Sequence, residues 1–329
     1  MALCSAPHRG ALCAAALALL AGTSYAFWRP AVPAPGWIPR PAPLAAWVER
    51  AWLEQPQSEA ATRAFVDRLV WHGVEFAFVH HTPMNAAGRN PAYDPEQCRR
   101  LSAAARERSR GAAAPLRVLA WVGGRSTVRL RSPEQRRSFA EDVGRLVRDC
   151  GLSGAHLNIE PLRRVDGALA AWLAELRAAM GPGRLLSVAA TRPHLLGTVD
   201  LSPVPSWGPS DYAELSRHVD QIAVMSYDTW LVGAKLYTAY MRRSTRLVAQ
   251  AVRRGPNPSC GLLMGVPTYS ERRPYFHAGA ENLRSGLAGI LSGNLDLLGD
   301  GIAPPGLAVY ASWTTDAGEW RELDDLSGD

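Results

Sequence analysis

The chain has 329 residues, 47% hydrophobic and 20% charged, a balance that excludes both a disordered chain and a protein of many membrane spans. The formal charge of +6 comes almost wholly from scattered arginines, Lys235 being the single lysine. With no zinc-finger spacing, no phosphate-cradling GxxxxGKS/T loop and no long basic run, nucleic acid is excluded as the expected partner.

The chain opens on His8 and Arg9, an apolar run from Ala11 to Ala21, and the small-x-small pattern Ser24-Tyr25-Ala26. This is the form of an export signal, and the run is shorter than the roughly 20 residues that span a bilayer. Residues 1–26 are therefore expected to be a signal peptide; retained, the same segment would tether the protein to a membrane. The expected location is outside the cytoplasm: secreted, periplasmic or at the cell envelope. From Phe27 to Pro43, six prolines keep the backbone extended and remove hydrogen-bond donors, which predicts a linker over 27–43 ahead of a single domain over 44–329. Of five cysteines, Cys4 and Cys13 belong to the signal. Cys98, Cys150 and Cys260 are odd in number and far apart, so they are expected as buried small hydrophobes and not as a disulfide framework.

Beyond the linker, short apolar runs alternate with amphipathic stretches. Strands are expected at Ala46–Trp52, Val74–Val79, Leu116–Val122, Gly154–Glu160, Leu185–Ala190, Gln221–Tyr227, Gly261–Val266 and Gly306–Ser312. Helices are expected at Glu59–Trp71, Pro95–Arg110, Pro133–Cys150, Val165–Met180, Val232–Arg254 and Ala280–Leu291, several opened by Ser or Asp and closed near Gly. Eight strands in alternation with helices, and no GxGxxG after the first, predict a (β/α)8 TIM barrel of the α/β class. Chemistry in such barrels sits at the carboxyl ends of the strands.

The fourth strand carries the sharpest pattern. From Ala155 to Glu160 polar and apolar residues alternate, and strand side chains switch faces at every residue. Ala155, Leu157 and Ile159 suit packing against helices, which turns His156, Asn158 and Glu160 toward the barrel axis, with Glu160 nearest the open end. A carboxylic acid among apolar neighbours suits general-acid work near neutral pH. Read from the strand alone, the same three residues also fit an interior polar ladder without chemistry.

This strand resembles the catalytic strand of glycoside hydrolase family 18, the chitinase-like barrels, whose pattern is DGxDxDxE. Gly154 and Glu160 match it, while Ser153, His156 and Asn158 stand at the three aspartate positions. Val122-Gly123-Gly124 is similar to the third-strand SxGG, Met225-Ser226-Tyr227-Asp228 to the sixth-strand MxYD and Gly265-Val266-Pro267-Thr268-Tyr269 to the seventh-strand GxPxY, with Trp313 ending the eighth strand. The resemblance runs from Leu44 to the carboxyl end. It implies substrate-assisted retaining hydrolysis of β-linked N-acetylhexosamine glycans, in which the sugar's own acetamido oxygen attacks the anomeric carbon. It also implies a role for each matched residue. Glu160 would protonate the leaving oxygen and then activate water. Tyr227 would hydrogen-bond the acetamido carbonyl, Asp228 would bind a sugar hydroxyl or orient a neighbour, and Trp313 would form the floor under the sugar. An aspartate at position 158 would accept the acetamide N–H, a task Asn158 can perform without a full charge. Leu157-Asn158-Ile159-Glu160 is also similar to glycoside hydrolase family 85, the endo-N-acetylglucosaminidases, where asparagine performs it with a glutamate two residues on.

Further candidates for substrate contact are His156, Trp121 before the third-strand glycines, His80 at the end of the second strand, and Tyr269. His80 and His81 face opposite ways and no third ligand has the right spacing, so no metal and no cofactor is expected. No GxSxG elbow presents a nucleophilic serine. The expected partner is a glycan containing N-acetylhexosamine, and the protein is expected to be a monomer. The rival reading is a degenerate barrel that binds such glycans without cleaving them, a lectin-like or cell-envelope module.

Overall fold

The computed structural model describes residues 41–85, 87–90, 92–112, 114–125, 132–195, 205–271 and 273–326. The expected signal peptide, with Cys4 and Cys13, and the expected linker up to residue 40 lie outside them. Eight strands, β1 (Leu44–Val48), β2 (Val74–His80), β3 (Arg117–Arg125), β4 (Gly154–Glu160), β5 (Leu185–Ala190), β6 (Gln221–Val224), β7 (Gly261–Pro267) and β8 (Gly306–Tyr310), pair in parallel and in chain order into a closed barrel. Around it lie α1 (Ala51–Glu54), α2 (Glu59–Trp71), α3 (Pro95–Arg108), α4 (Pro133–Asp149), α5 (Gly167–Met180), α6 (Pro209–Ser216), α7 (Ala234–Arg253), α8 (Leu283–Gly299) and α9 (Ala317–Asp324). This is the expected TIM barrel.

Alternation along the strands divides the core in two. Ala155, Leu157 and Ile159 of β4 belong to the outer layer between barrel and helices, with Phe139, Trp172 and Leu176. Inside the barrel pack Trp47, Phe76, Phe78, Leu119, Trp121, Ala223 and Leu263. Each large apolar side chain withdrawn from water stabilises the fold by roughly 1.5–3 kcal/mol, so both layers are needed to hold the sheet closed. Helix starts follow their caps. The Ser58 hydroxyl accepts from the Ala61 amide, and the Asp94 carboxylate accepts from the amides of Glu96 and Gln97 ahead of Pro95.

The structure differs from the sequence expectation at several points. β1 begins two residues earlier and ends at Val48, because Ala51–Glu54 forms a turn of helix in place of continued strand. β6 stops at Val224, three residues short, and β8 stops at Tyr310. Helices α6 and α9 were not expected; with eight residues each, they are too short for helical periodicity to declare itself. Cys98 and Cys150 form a disulfide with Cα atoms 5.2 Å apart, which corrects their expectation as separate thiols. The barrel wrap brings the first turns of α3 to the end of α4, and linear spacing does not encode that approach. Cys260 is buried with its thiol free, and burial pushes that thiol up to about 12. Among the described residues no helix is long and apolar enough to cross a membrane.

Candidate active site

The site is built at the carboxyl ends of the strands, over an interior polar chain. Trp47 of β1 donates its indole N–H to Nε2 of His156 at 3.1 Å, which leaves the imidazole proton on Nδ1 facing the Ser187 hydroxyl at 2.8 Å. Ser187 in turn donates to Gln221 at 2.9 Å, so the chain crosses from β1 through β4 and β5 to β6. His156 is 0% exposed, and its ring stacks on Phe78 with centroids 3.8 Å apart. Burial pushes its pKa down to about 3, so the imidazole stays neutral. His156 therefore sits in the floor of the fold, with both ring nitrogens occupied, and not at a surface a sugar reaches.

Two residues further along the same face, Asn158 donates its amide N–H to Oε1 of Glu160 at 3.0 Å, while its Oδ1 is buried without a hydrogen-bond partner among the described residues. Glu160 ends the strand and is exposed. Close approach from β3 supports this geometry. Gly123 is paired with Asn158, and a Cβ on Gly123 would lie 1.8 Å from the Asn158 carbonyl oxygen. Only glycine lets the two backbones meet here, which is the physical content of the double-glycine motif.

Opposite β4 stands an aromatic cluster. Tyr227 is 8% exposed; its ring stacks on Tyr310 at 5.3 Å and meets Tyr269 edge-on at 6.2 Å. Burial holds the Tyr227 phenol well above its ordinary pKa, so it remains a donor. Tyr269 donates its hydroxyl to Oδ1 of Asp228 at 2.5 Å, and the Arg273 guanidinium lies 4.9 Å over the Tyr269 ring. Burial raises the Asp228 carboxyl above the usual range; the Tyr269 hydroxyl and Arg273 oppose the shift, and the charge of Glu160 adds to it. Glu160 likewise pushes up Tyr310, after burial. Tyr269 thus links Asp228 to Tyr310, at the end of the barrel where Glu160 closes β4.

Tyr310, which sequence reading passed over, is the hub of the cluster. Its ring contacts Trp47, Trp121, Tyr227, Tyr269 and Trp313 at centroid distances of 5.6, 6.1, 5.3, 5.8 and 6.0 Å. The expected floor, Trp313, lies instead at the rim and is 44% exposed. Parity leads to Tyr310, since Ala308 already points inward, but a strand expected to run to Ser312 puts its open end at Trp313 instead. His80 and Trp121 pair at 4.4 Å on the β2–β3 wall, where burial lowers the His80 pKa. His81 is a fixed scaffold group: its Nδ1 meets Oε1 of Glu54 at 2.9 Å, and that carboxylate also accepts from the amide and hydroxyl of Thr82. Tyr269, a candidate for substrate contact, is buried and gives its hydroxyl proton to Asp228. Among the described residues no cluster of three or more His, Cys, Asp or Glu side chains is arranged to hold a metal ion.

Comparison with known proteins agrees with this architecture. The model of the family described as Glycosyl hydrolases family 18 matches residues 57–289. The Group IV chitinase of Ostrinia furnacalis superposes with a TM-score of 0.57 at 15% identity, covering 87% of this chain and 99% of that one. The spore cortex-lytic enzyme SleL of Bacillus cereus gives 0.56 at 12% identity, over 88% of this chain and 75% of that one. A class V chitinase from Pseudomonas fluorescens Pf-5 gives 0.53 at 16% identity, over 88% and 99%. At these identities the likeness is one of fold. No curated protein matches the sequence.

Proposed function

The chain belongs to glycosyl hydrolases family 18, and with it to the glycoside hydrolases, and from that membership we propose that it cleaves β-linked N-acetylhexosamine glycans by substrate-assisted retaining catalysis. The observation that carries this reading is the Asn158–Glu160 hydrogen bond at 3.0 Å, set at a mouth whose other wall holds Tyr227 and Asp228. Glu160 gives its proton to the glycosidic oxygen as the bond to the anomeric carbon breaks. The acetamido oxygen forms the new bond to that carbon. Water then attacks the cyclic intermediate, losing its proton to Glu160 and restoring both the acetamide and the acid. Tyr227 donates to the acetamido carbonyl oxygen and aims it. Asn158, whose Nδ2 is engaged by Glu160 and whose Oδ1 has no partner among the described residues, uses that oxygen to accept the acetamido N–H. Asp228, held by Tyr269, accepts a sugar hydroxyl; Tyr310 lies under the ring, with Trp313, Trp121 and His80 lining the approach.

Two of the neighbouring structures are named chitinases and one a spore cortex-lytic enzyme, so chitooligosaccharides and peptidoglycan are the first substrates to try. The Cys98–Cys150 disulfide supports export, since such bonds persist in oxidising compartments. The parent domain and Glu160→Gln are incubated with chitooligosaccharides, peptidoglycan and a high-mannose glycopeptide, and products are read by mass spectrometry. Cleavage by the parent alone is expected, with a loss of at least ~10²-fold in the variant; hydrolysis surviving the change removes Glu160 from its role.

The neutral amide of Asn158 favours one second reading, a barrel that binds such glycans without turning them over. No cleavage by either protein, with a rise in melting temperature on adding one glycan, is the outcome that selects it.

A further inference from the structure

The loop after β6 holds two non-glycine residues in the left-handed region, Asp228 at φ 58° and Trp230 at φ 66°. Such conformations cost free energy for side chains with a Cβ and persist only where surrounding contacts over-determine them. Between the two, Thr229 is fully buried, and its backbone N–H donates to both carboxyl oxygens of Glu281 at 3.1 Å. On either side, the Trp230 N–H donates to the Tyr275 carbonyl at 3.0 Å, and Tyr269 holds Asp228.

Glu281 precedes Asn282, the N-cap of α8, and has 0% exposure. A carboxyl drawn out of water is unfavourable unless its partners repay it, and an apolar residue at the head of a helix would fill the space without that penalty. Its burial pushes the Glu281 carboxyl up to about 8, a measure of how little water reaches it. What the carboxyl does, and an apolar side chain could not, is accept the one amide that lies between the two left-handed residues.

We propose that Glu281 is a positioning residue. It fixes the Thr229 amide so that the chain turns twice through the left-handed region, aiming Asp228 into the mouth and turning Trp230, 40% exposed, outward to the rim. Asp228's task in the mouth rests on the glycosidase reading above; the loop geometry does not.

The test uses two variants and two readouts. Glu281→Gln keeps an acceptor for the Thr229 amide, and Glu281→Leu removes it. In the ligand-free protein labelled with 5-fluorotryptophan, the Trp230 resonance is assigned from Trp230→Phe. Leu is expected to shift or broaden that resonance while Gln leaves it in place. On a chitooligosaccharide, Leu is expected to lower kcat by ~10-fold in the parent but by less than ~2-fold in an Asp228→Asn background, because groups acting through one another are non-additive. A merely structural role would cost the same in both backgrounds. An unmoved Trp230 resonance, or an undiminished loss beside Asp228→Asn, overturns the proposal. If Leu does not fold, Glu281→Asp, whose carboxyl falls one methylene short of the amide, carries the same expectations. A parent that cleaves nothing sinks the glycosidase reading, while the fluorine spectra still decide the loop.

Discussion

Asn158 presents an amide where the family pattern has a carboxylate, and its neighbours explain why that substitution is consistent with the rest of the site. Its N–H faces Glu160, and the group beneath it, His156, has both nitrogens engaged and no hydrogen bond to spare. Asn158→Asp would exchange a donor for a second carboxylate beside the first, with nothing below to take up a proton. A fall in kcat of at least ~10-fold is expected on chitooligosaccharide at neutral pH, and a rise would mark Asn158 as a disabled aspartate. His156 also sets a pH dependence. Its folded pKa of about 3 lies below the ordinary 6.5, so between these values the unfolded chain binds a proton that the folded one refuses. Stability is thus lost as pH falls through that window, by ~1.4 kcal/mol per pH unit for this group. Glu281 acts oppositely, since its carboxyl is raised from 4.5 to about 8 and its contribution is lost as pH rises between them. Urea midpoints of the parent should therefore fall more steeply between pH 6.5 and 4 than those of His156→Gln; parallel slopes would contradict the neutral, buried imidazole. Strand parity made Glu160 and Asn158 legible, but parity gives a face and not a depth, which is why His156 was grouped with them. Glu281 was illegible because a carboxylate ahead of a helix reads as an ordinary N-terminal charge.

At the level of elements, β4 and β5 were read to the residue, for each is bounded by a turn residue and carries an unbroken apolar or alternating run. The first strand, β6 and β8 were misplaced by a few residues because apolar or aromatic side chains continue past the last sheet bond into loops that line the mouth. Helix α8 was truncated in the sequence reading by its glycines, which weaken the helical pattern. The structure gives the reason for them: α8 packs against α7 so closely that a Cβ on Gly289 would lie 2.5 Å from both Met241 Cβ and the Thr238 carbonyl. Alanine is the better helix former by about 1 kcal/mol, and forcing the two helices apart costs about 1–3 kcal/mol. The clash wins, so Gly289→Ala should lower the unfolding free energy in denaturant titration; a gain would mean that the helices separate freely.

For the molecule as a whole, eight strands closed in order were expected from alternation alone, and barrel closure fixes which loops share a mouth. The disulfide was hidden for the same reason: proximity of Cys98 and Cys150 is a property of the wrap, across 52 residues of chain. In a chain-entropy account a loop of that length is worth about 4 kcal/mol to the folded state. Cys98→Ser with Cys150→Ser should lower the melting temperature and abolish its sensitivity to reductant, whereas Cys260→Ser, at a buried thiol with no partner cysteine among the described residues, should leave that sensitivity intact. An equal response to reductant in both proteins would place the bond elsewhere.

The chain of Trp47, His156, Ser187 and Gln221 is neutral and hydrogen-bonded from end to end, and Asn158 stands only two positions above His156 on the same strand. A single strand therefore carries the frontier between scaffold and reagent. Variation confined to side chains above that frontier would sample new chemistries on an unaltered frame, and variation below it would test the frame, reaching the mouth through the Trp47–Tyr310 ring contact. The barrel thus offers two layers to edit, joined by that aromatic contact, with the boundary falling between residues 156 and 158 of β4.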